Sequence, residues 1–187
     1  MVDAFATVDD LAGRLNRSFT SEEEAWITTL LEDASTYLRS VVGQDVFPVT
    51  VSTFTAYPDA GRVDLPQYPV VSVGTVERDG VAVDYTYRPG YLTVDCDEPV
   101  DVTFTYGYAT APPELTRLAC VLVSQALVTL EAGIGLTAGG LSSVALDDFK
   151  AAWADAGAGS GMVLTAHAEA GVKSQFGRGG SWVVTTR

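Results

Sequence analysis

Four acidic residues crowd one short stretch, Asp95, Asp97, Glu98 and Asp101, and oxygen-rich spacing of this kind is a first requirement of calcium binding. The chemistry is not completed. Pro99 stands where a ligand is needed and no glycine supplies the sharp turn of a calcium loop, so the stretch reads as a solvated acidic turn. His167 is the sole histidine, so any Ser-His or Cys-His nucleophile must use it, and it falls in a polar segment with no thiol nearby. Asp147 and Asp148 are adjacent, and adjacent side chains diverge on a helix and on a strand alike, which rules out the facing geometry of paired-carboxylate catalysis. Gly133-Ile134-Gly135-Leu136-Thr137-Ala138 fits the letters of a dinucleotide fingerprint, yet it follows a helical pattern and opens no βαβ unit. The sequence therefore predicts no catalytic residue, no cofactor and no metal, and directs attention to surfaces that work by binding.

The elements that carry those surfaces are readable from periodicity. Thr7-Val8-Asp9-Asp10 has the form of a capping box and predicts a short helix to Leu15. A longer helix follows from Thr20, with apolar residues at 27, 30, 31, 34, 37, 38 and 41 on one stripe and Glu23, Glu32, Asp33 and Arg39 on the wet face. Gly43 stops it. From Val46 the period changes to two and β-branched and aromatic residues take over. Asp79-Gly80 is a hairpin signal, Arg88-Pro89-Gly90 and Asp97-Glu98-Pro99 are turns, and the block predicts about five antiparallel strands in a meander. Helical spacing resumes at Pro112-Pro113-Glu114-Leu115 and ends at Gly133. Residues 141–155 score equally as a helix, through Phe149 and Trp153, and as a strand, through Phe149, Ala151 and Trp153. A last helix over 164–176 precedes a Gly-rich, extended end. The predicted class is α+β: N-terminal helices and a long second helix packed as a small bundle, an inserted antiparallel β meander and an extended C-terminal tail.

Charge narrows the partners. The 187 residues carry a net charge of -13, with lysine at positions 150 and 173 alone, which speaks against a grip on nucleic acid. Residues 161–187 hold Glu169 against Lys173, Arg178 and Arg187, a balance of +2 that leaves -15 for residues 1–160. The tail is the basic segment, suited to an acidic neighbour. Cys96 and Cys120 read as reduced thiols, the start lacks a basic signal region, and the most apolar run, 118–130, is too short to span a bilayer, so a soluble protein made in a reducing cytosol with no membrane contact is expected.

Several of these residues also carry a likeness. Phe5-Ala6-Thr7-Val8-Asp9-Asp10-Leu11-Ala12-Gly13-Arg14-Leu15, then Thr20-Ser21-Glu22-Glu23-Glu24, Leu31-Glu32-Asp33-Ala34-Ser35 and Leu38-Arg39, and after the strand block Thr105-Tyr106-Gly107-Tyr108 with Pro112-Pro113-Glu114-Leu115, resemble tailed-phage head-to-tail connector (adaptor) proteins of the actinobacteriophage kind. The likeness covers about the first 130 residues. It implies a structural virion protein of the neck, made in the host bacterial cytoplasm, that forms a homo-oligomeric ring of about twelve copies below the portal. The implied partners are the portal protein and a tail-side connector or stopper protein, with DNA passing through the channel unbound. No active site comes with the resemblance. Another head-completion or tail-assembly subunit is the second expectation and a small cytosolic enzyme the third.

In this frame residues 1–133 are the adaptor body, with helices 7–15, 20–42 and 112–132 around strands 46–108. Residues 134–161 are a Gly-rich hinge with the ambiguous element, and 162–187 are the C-terminal helix and tail. The candidate partner-contact residues are Lys173, Phe176, Arg178, Trp182 and Arg187. An aromatic content higher than one small core requires, in Trp26, Tyr37, Tyr85, Tyr87, Tyr91, Tyr106, Tyr108 and Trp182, predicts that some rings lie between subunits.

Overall fold

The computed structural model describes residues 3–131, 143–146, 149–152 and 162–177. Among the described residues there are four helices: α1 (Val8–Leu15), α2 (Ser21–Val42), α3 (Pro113–Glu131) and α4 (Ala166–Phe176). Seven strands lie between α2 and α3: β1 (Thr50–Ala56), β2 (Arg62–Asp64), β3 (Val70–Arg78), β4 (Val81–Ala82), β5 (Tyr85–Arg88), β6 (Tyr91–Val94) and β7 (Val100–Tyr106). A hairpin of β8 (Ser143–Leu146) and β9 (Phe149–Ala152) follows α3. The α+β class is thus observed. The chain divides into two units, residues 1–38 with 113–169 and residues 39–112 with 170–187, the divisions falling inside α2 and α4.

In the first unit the helix starts are set by side chains. Thr7 and Asp10 close a reciprocal capping box at α1, and Thr20 and Glu23 do the same before α2. Those two contacts to Thr20, its backbone amide ahead of its hydroxyl, hold the Glu23 carboxyl below the ordinary range. The stripe of α2 is buried at Ile27, Leu30, Leu31, Ala34 and Leu38, and α3 buries Leu115, Leu118, Ala119, Cys120, Leu122, Val123, Ala126 and Leu127. The segment before α1 is tied to both helices. Phe5 is buried, its amide donates to Ser35 Oγ at 2.9 Å, and its carbonyl accepts from Thr116 Oγ1 at 2.8 Å. Ser35 is buried as well, and its hydroxyl is satisfied by the Leu31 carbonyl at 2.6 Å. Tyr37 Oη donates to Glu169 at 2.5 Å and accepts from the Leu164 amide at 3.2 Å. Burial, and then the Glu169 carboxylate, push that phenol upward.

In the second unit β7 is the organising strand. The four-stranded sheet runs β1-β7-β3-β4, and a three-stranded sheet runs β2-β6-β5, every pairing antiparallel. One face of β7 supplies Val100, Val102, Phe104 and Tyr106 to the core, where they meet Val63, Leu65, Val76, Leu92 and Val94. Phe104 is fully buried, edge-on to Phe54 at 5.6 Å and stacked on Tyr106 at 5.3 Å.

The expected five-strand meander needs correction in count and order. The run 81–87 divides at Val83 and Asp84, so that β4 stays with the first sheet and β5 begins the second, and β2 is an added short strand. The last strand, β7, returns to lie between β1 and β3, a non-local pairing that a local alternation pattern does not encode. The two-residue hairpins do stand where turn chemistry puts them. Arg78 pairs with Val81 across Asp79 and Gly80, both at positive φ, and Arg88 pairs with Tyr91 across Pro89 and Gly90. Arg39, expected on the wet face, instead folds back: its side chain is 13% exposed and reaches Asp45 at 3.0 Å and the Phe47 carbonyl at 3.0 Å. For residues 141–155, where the pattern was balanced, the described backbone is the strand hairpin β8–β9.

Candidate partner interface

Among the described residues, those with possible chemistry are not brought together. Glu98 pairs with Arg78 at 2.9 Å and Asp101 accepts from Thr55 Oγ1 at 2.6 Å, each occupied by a neighbour on the sheet. Among the described residues no group of three or more His, Cys, Asp and Glu side chains could hold a metal ion. His167 is exposed in the first turn of α4. Cys96 and Cys120 are free thiols, the second buried in α3 with its thiol pushed up by that burial. Residues 133–138 and the pair Asp147 and Asp148 lie outside the described residues. An open groove of 490 Å³ beside α1 is flanked by Val8, Ala12, Arg17 and Phe19, and Arg17 is engaged there by Glu23 at 2.7 Å and by the Phe19 ring. No described helix is long and apolar enough to cross a membrane.

The C-terminal candidates are partly described. Lys173 is exposed on α4. Phe176, expected to meet a partner, is only 7% exposed, and its carbonyl accepts from Gln44 Nε2 at 2.6 Å. The same Gln44 side chain, itself buried, accepts from the Tyr68 amide at 2.9 Å, so one amide group fastens the end of α4 to the loop before β3. Phe176 therefore anchors the end of α4, with its side chain buried and its carbonyl held. Arg178, Trp182 and Arg187 lie outside the described residues.

Sheet edges are more informative than these side chains. β2 is three residues long, and two of the three, Arg62 and Asp64, are charged and bonded to each other at 2.7 Å. β4 is two residues long, and β5 is four and ends in Arg88. Each is short, and β2 and β5 carry charge as well, both common ways to stop an edge from pairing with another chain. β1 has no such guard. It is seven residues long, fully in register with β7 on one side, and no described strand pairs with its other side. From Val46 to Pro58 no residue is charged.

The outward face of that sheet continues the pattern. Val51, Thr53 and Thr55 stand opposite Thr105, Thr103 and Asp101, with the Thr53 and Thr103 hydroxyls 2.8 Å apart. Val51 is 65% exposed, and Val49, before the strand, and Tyr57, after it, are exposed too. Of the aromatic residues expected at interfaces, Trp26, Tyr87 and Tyr108 are exposed, Tyr37, Tyr85 and Tyr91 are half-buried, Tyr106 is buried in the core, and Trp182 lies outside the described residues. The β1 edge was missed by sequence reasoning, which recognised the strand. Its signal was the uncharged run, but being an edge is a property of topology.

No family model matches the sequence, and no curated protein matches it. Among solved structures, a chain from the neck of an empty GTA particle, computed with C6 symmetry, is similar at 18% identity. The likeness covers 67% of this chain and 82% of that chain, with a TM-score of 0.44.

Proposed function

We propose that the chain is a structural, non-catalytic subunit of a phage neck, a ring adaptor of about twelve copies between the portal and a tail-side connector or stopper. DNA passes through its channel without specific binding. The observation that carries this reading is the set of connector-like residues flanking the strand block, from Phe5 to Arg39 and from Thr105 to Leu115. In the fold, these residues form α1, α2 and the passage from β7 into α3. Gly107 has φ +100, and a Cβ there would stand 2.6 Å from the Pro48 carbonyl oxygen, so the Tyr106-Gly107-Tyr108 turn requires glycine. Pro113, as the first residue of α3, sits where its missing N–H costs nothing.

The charge supports the same reading. A net -13 gives a channel wall that repels phosphate and lets DNA slide rather than stick. In this reading residues 1–133 are the adaptor body, 134–161 the joint, and 162–187 the segment whose Lys173, Arg178, Trp182 and Arg187 meet a partner while Phe176 fixes its root. The test is co-sedimentation of the purified chain with its cognate portal. A complex that appears on mixing supports the adaptor, whereas free chain across all ratios and concentrations overturns it.

A further inference from the structure

We propose that the outer edge of β1, unpaired among the described residues, receives residues 181–186 of a second copy of this chain as an added strand. β1 offers a row of outward backbone groups over seven residues, with no charge from Val46 to Pro58, no bulge in its pairing with β7, and Pro48 and Pro58 both outside the strand. The contrast with β2, β4 and β5 matters here, because those edges are cut short, two of them with charge added. An edge left long and uncharged beside edges that are guarded is an edge kept for a strand.

The chain carries a segment of the matching chemistry. Ser181-Trp182-Val183-Val184-Thr185-Thr186 is rich in β-branched and aromatic residues, is preceded by Gly179-Gly180, and lies between Arg178 and Arg187. The arginines have an acidic complement close to the receiving strand in Asp59, which follows it. More broadly, a segment of charge +2 meets a body of -15. The tail leaves from a fixed place, since the carbonyl of Phe176 is held by Gln44. Ten residues beyond 177 can extend to about 33 Å, enough to reach a neighbour.

A strand given by one copy to the next is a head-to-tail contact, and repeated head-to-tail contacts close into rings. The proposal rests on the ring reading above for the choice of a second copy as donor. Six added residues bury far less than the roughly 1,600 Å² of a standard stable interface. The pairing is accordingly concentration-dependent and is reinforced when the ring closes on itself.

The test uses full-length chain with Cys96→Ser throughout. One preparation carries Val51→Cys, Thr53→Cys or Thr55→Cys, three alternate positions on one face of β1, and the other carries Thr185→Cys. They are mixed under oxidising conditions across a concentration series on which wild-type self-association is followed in parallel. An interchain disulfide from position 185 to one of the three positions is the expected result. Two results overturn the proposal: no cross-link at any of the three, or a chain bearing both cysteines that closes on itself at dilutions where it is monomeric. In a second measurement Thr53→Lys should weaken self-association about tenfold or more without moving the melting temperature, while Thr86→Lys on β5 leaves both unchanged. Equal association by the two variants would also overturn it. Failure of the ring reading is separable: interchain cross-links in open chains of copies keep the strand exchange and remove the closed ring, and closed rings without cross-links do the reverse.

Discussion

The two sheets of the strand block meet the same hazard in opposite ways. The three-stranded sheet ends at β2, three residues that an Arg62–Asp64 ion pair and the Arg62 guanidinium over the Tyr91 ring, 4.2 Å from its centre, make polar and short. The four-stranded sheet ends at β1, seven residues without a charge. Both share one core, so packing does not explain the difference. Exposed pairing groups are costly to leave unguarded, and a sequence that guards one edge and not the other marks the second as an interface.

The largest way to break this comparison is to remove the core beneath β1. Phe104→Ala deletes a fully buried ring on β7 that touches Phe54 of β1, and large-to-small changes of this kind cost about 3–5 kcal/mol. Chemical denaturation should show that loss, and self-association should fall with it because β1 is no longer held straight. Unchanged stability would mean that the β1–β7 sheet is not the structural base described above.

A smaller effect is expected at the other edge. Gly61 precedes β2 at φ +76, and a Cβ there would stand 2.7 Å from the Val94 carbonyl oxygen. Gly61→Val should cost roughly 2 kcal/mol or more through backbone strain and that clash. Amide hydrogen exchange should locate the loosening at 62–64 and 91–94, with β1 and β7 still protected. Equal loosening in both sheets would show that the two edges are one cooperative structure and not two solutions.

The smallest effect sharpens the meaning of the charged guard. Arg62→Ala removes an exposed, solvent-screened ion pair and a ring contact, so the melting temperature should hardly move. Light scattering should show no new self-association, because three residues remain too few to pair. New association through β2 would instead assign the guarding role to charge alone.

What could be read in advance divides along local and non-local lines. The Thr7/Asp10 and Thr20/Glu23 boxes, the Asp79-Gly80 and Pro89-Gly90 turns and the stripe of α2 were legible because each depends on residues within a few positions. The insertion of β7 between β1 and β3 was not, since pairing between residues such as Thr50 with Tyr106 and Glu77 with Asp101 leaves no mark on local alternation. The sheet switch at Val83 and Asp84 was hidden for the same reason, as both halves keep period two. The candidate interface follows suit: the alternation of β1 is plain in Val49-Thr50-Val51-Ser52-Thr53-Phe54-Thr55, but whether a strand is central or at an edge is decided by partners elsewhere in the chain. At the end of α4 the burial of Phe176 and the capture of its carbonyl by Gln44, far away in sequence, are likewise non-local and leave no mark on the local pattern.

The most direct test of the central claim is the particle mass of the full-length chain, alone and with cognate portal rings. A structural ring adaptor predicts low-mass species at dilution that convert, on adding portal, to one discrete species carrying about a dozen copies. A chain that stays monomeric with portal at every concentration, or that adds in unlimited and ungraded numbers, would contradict it.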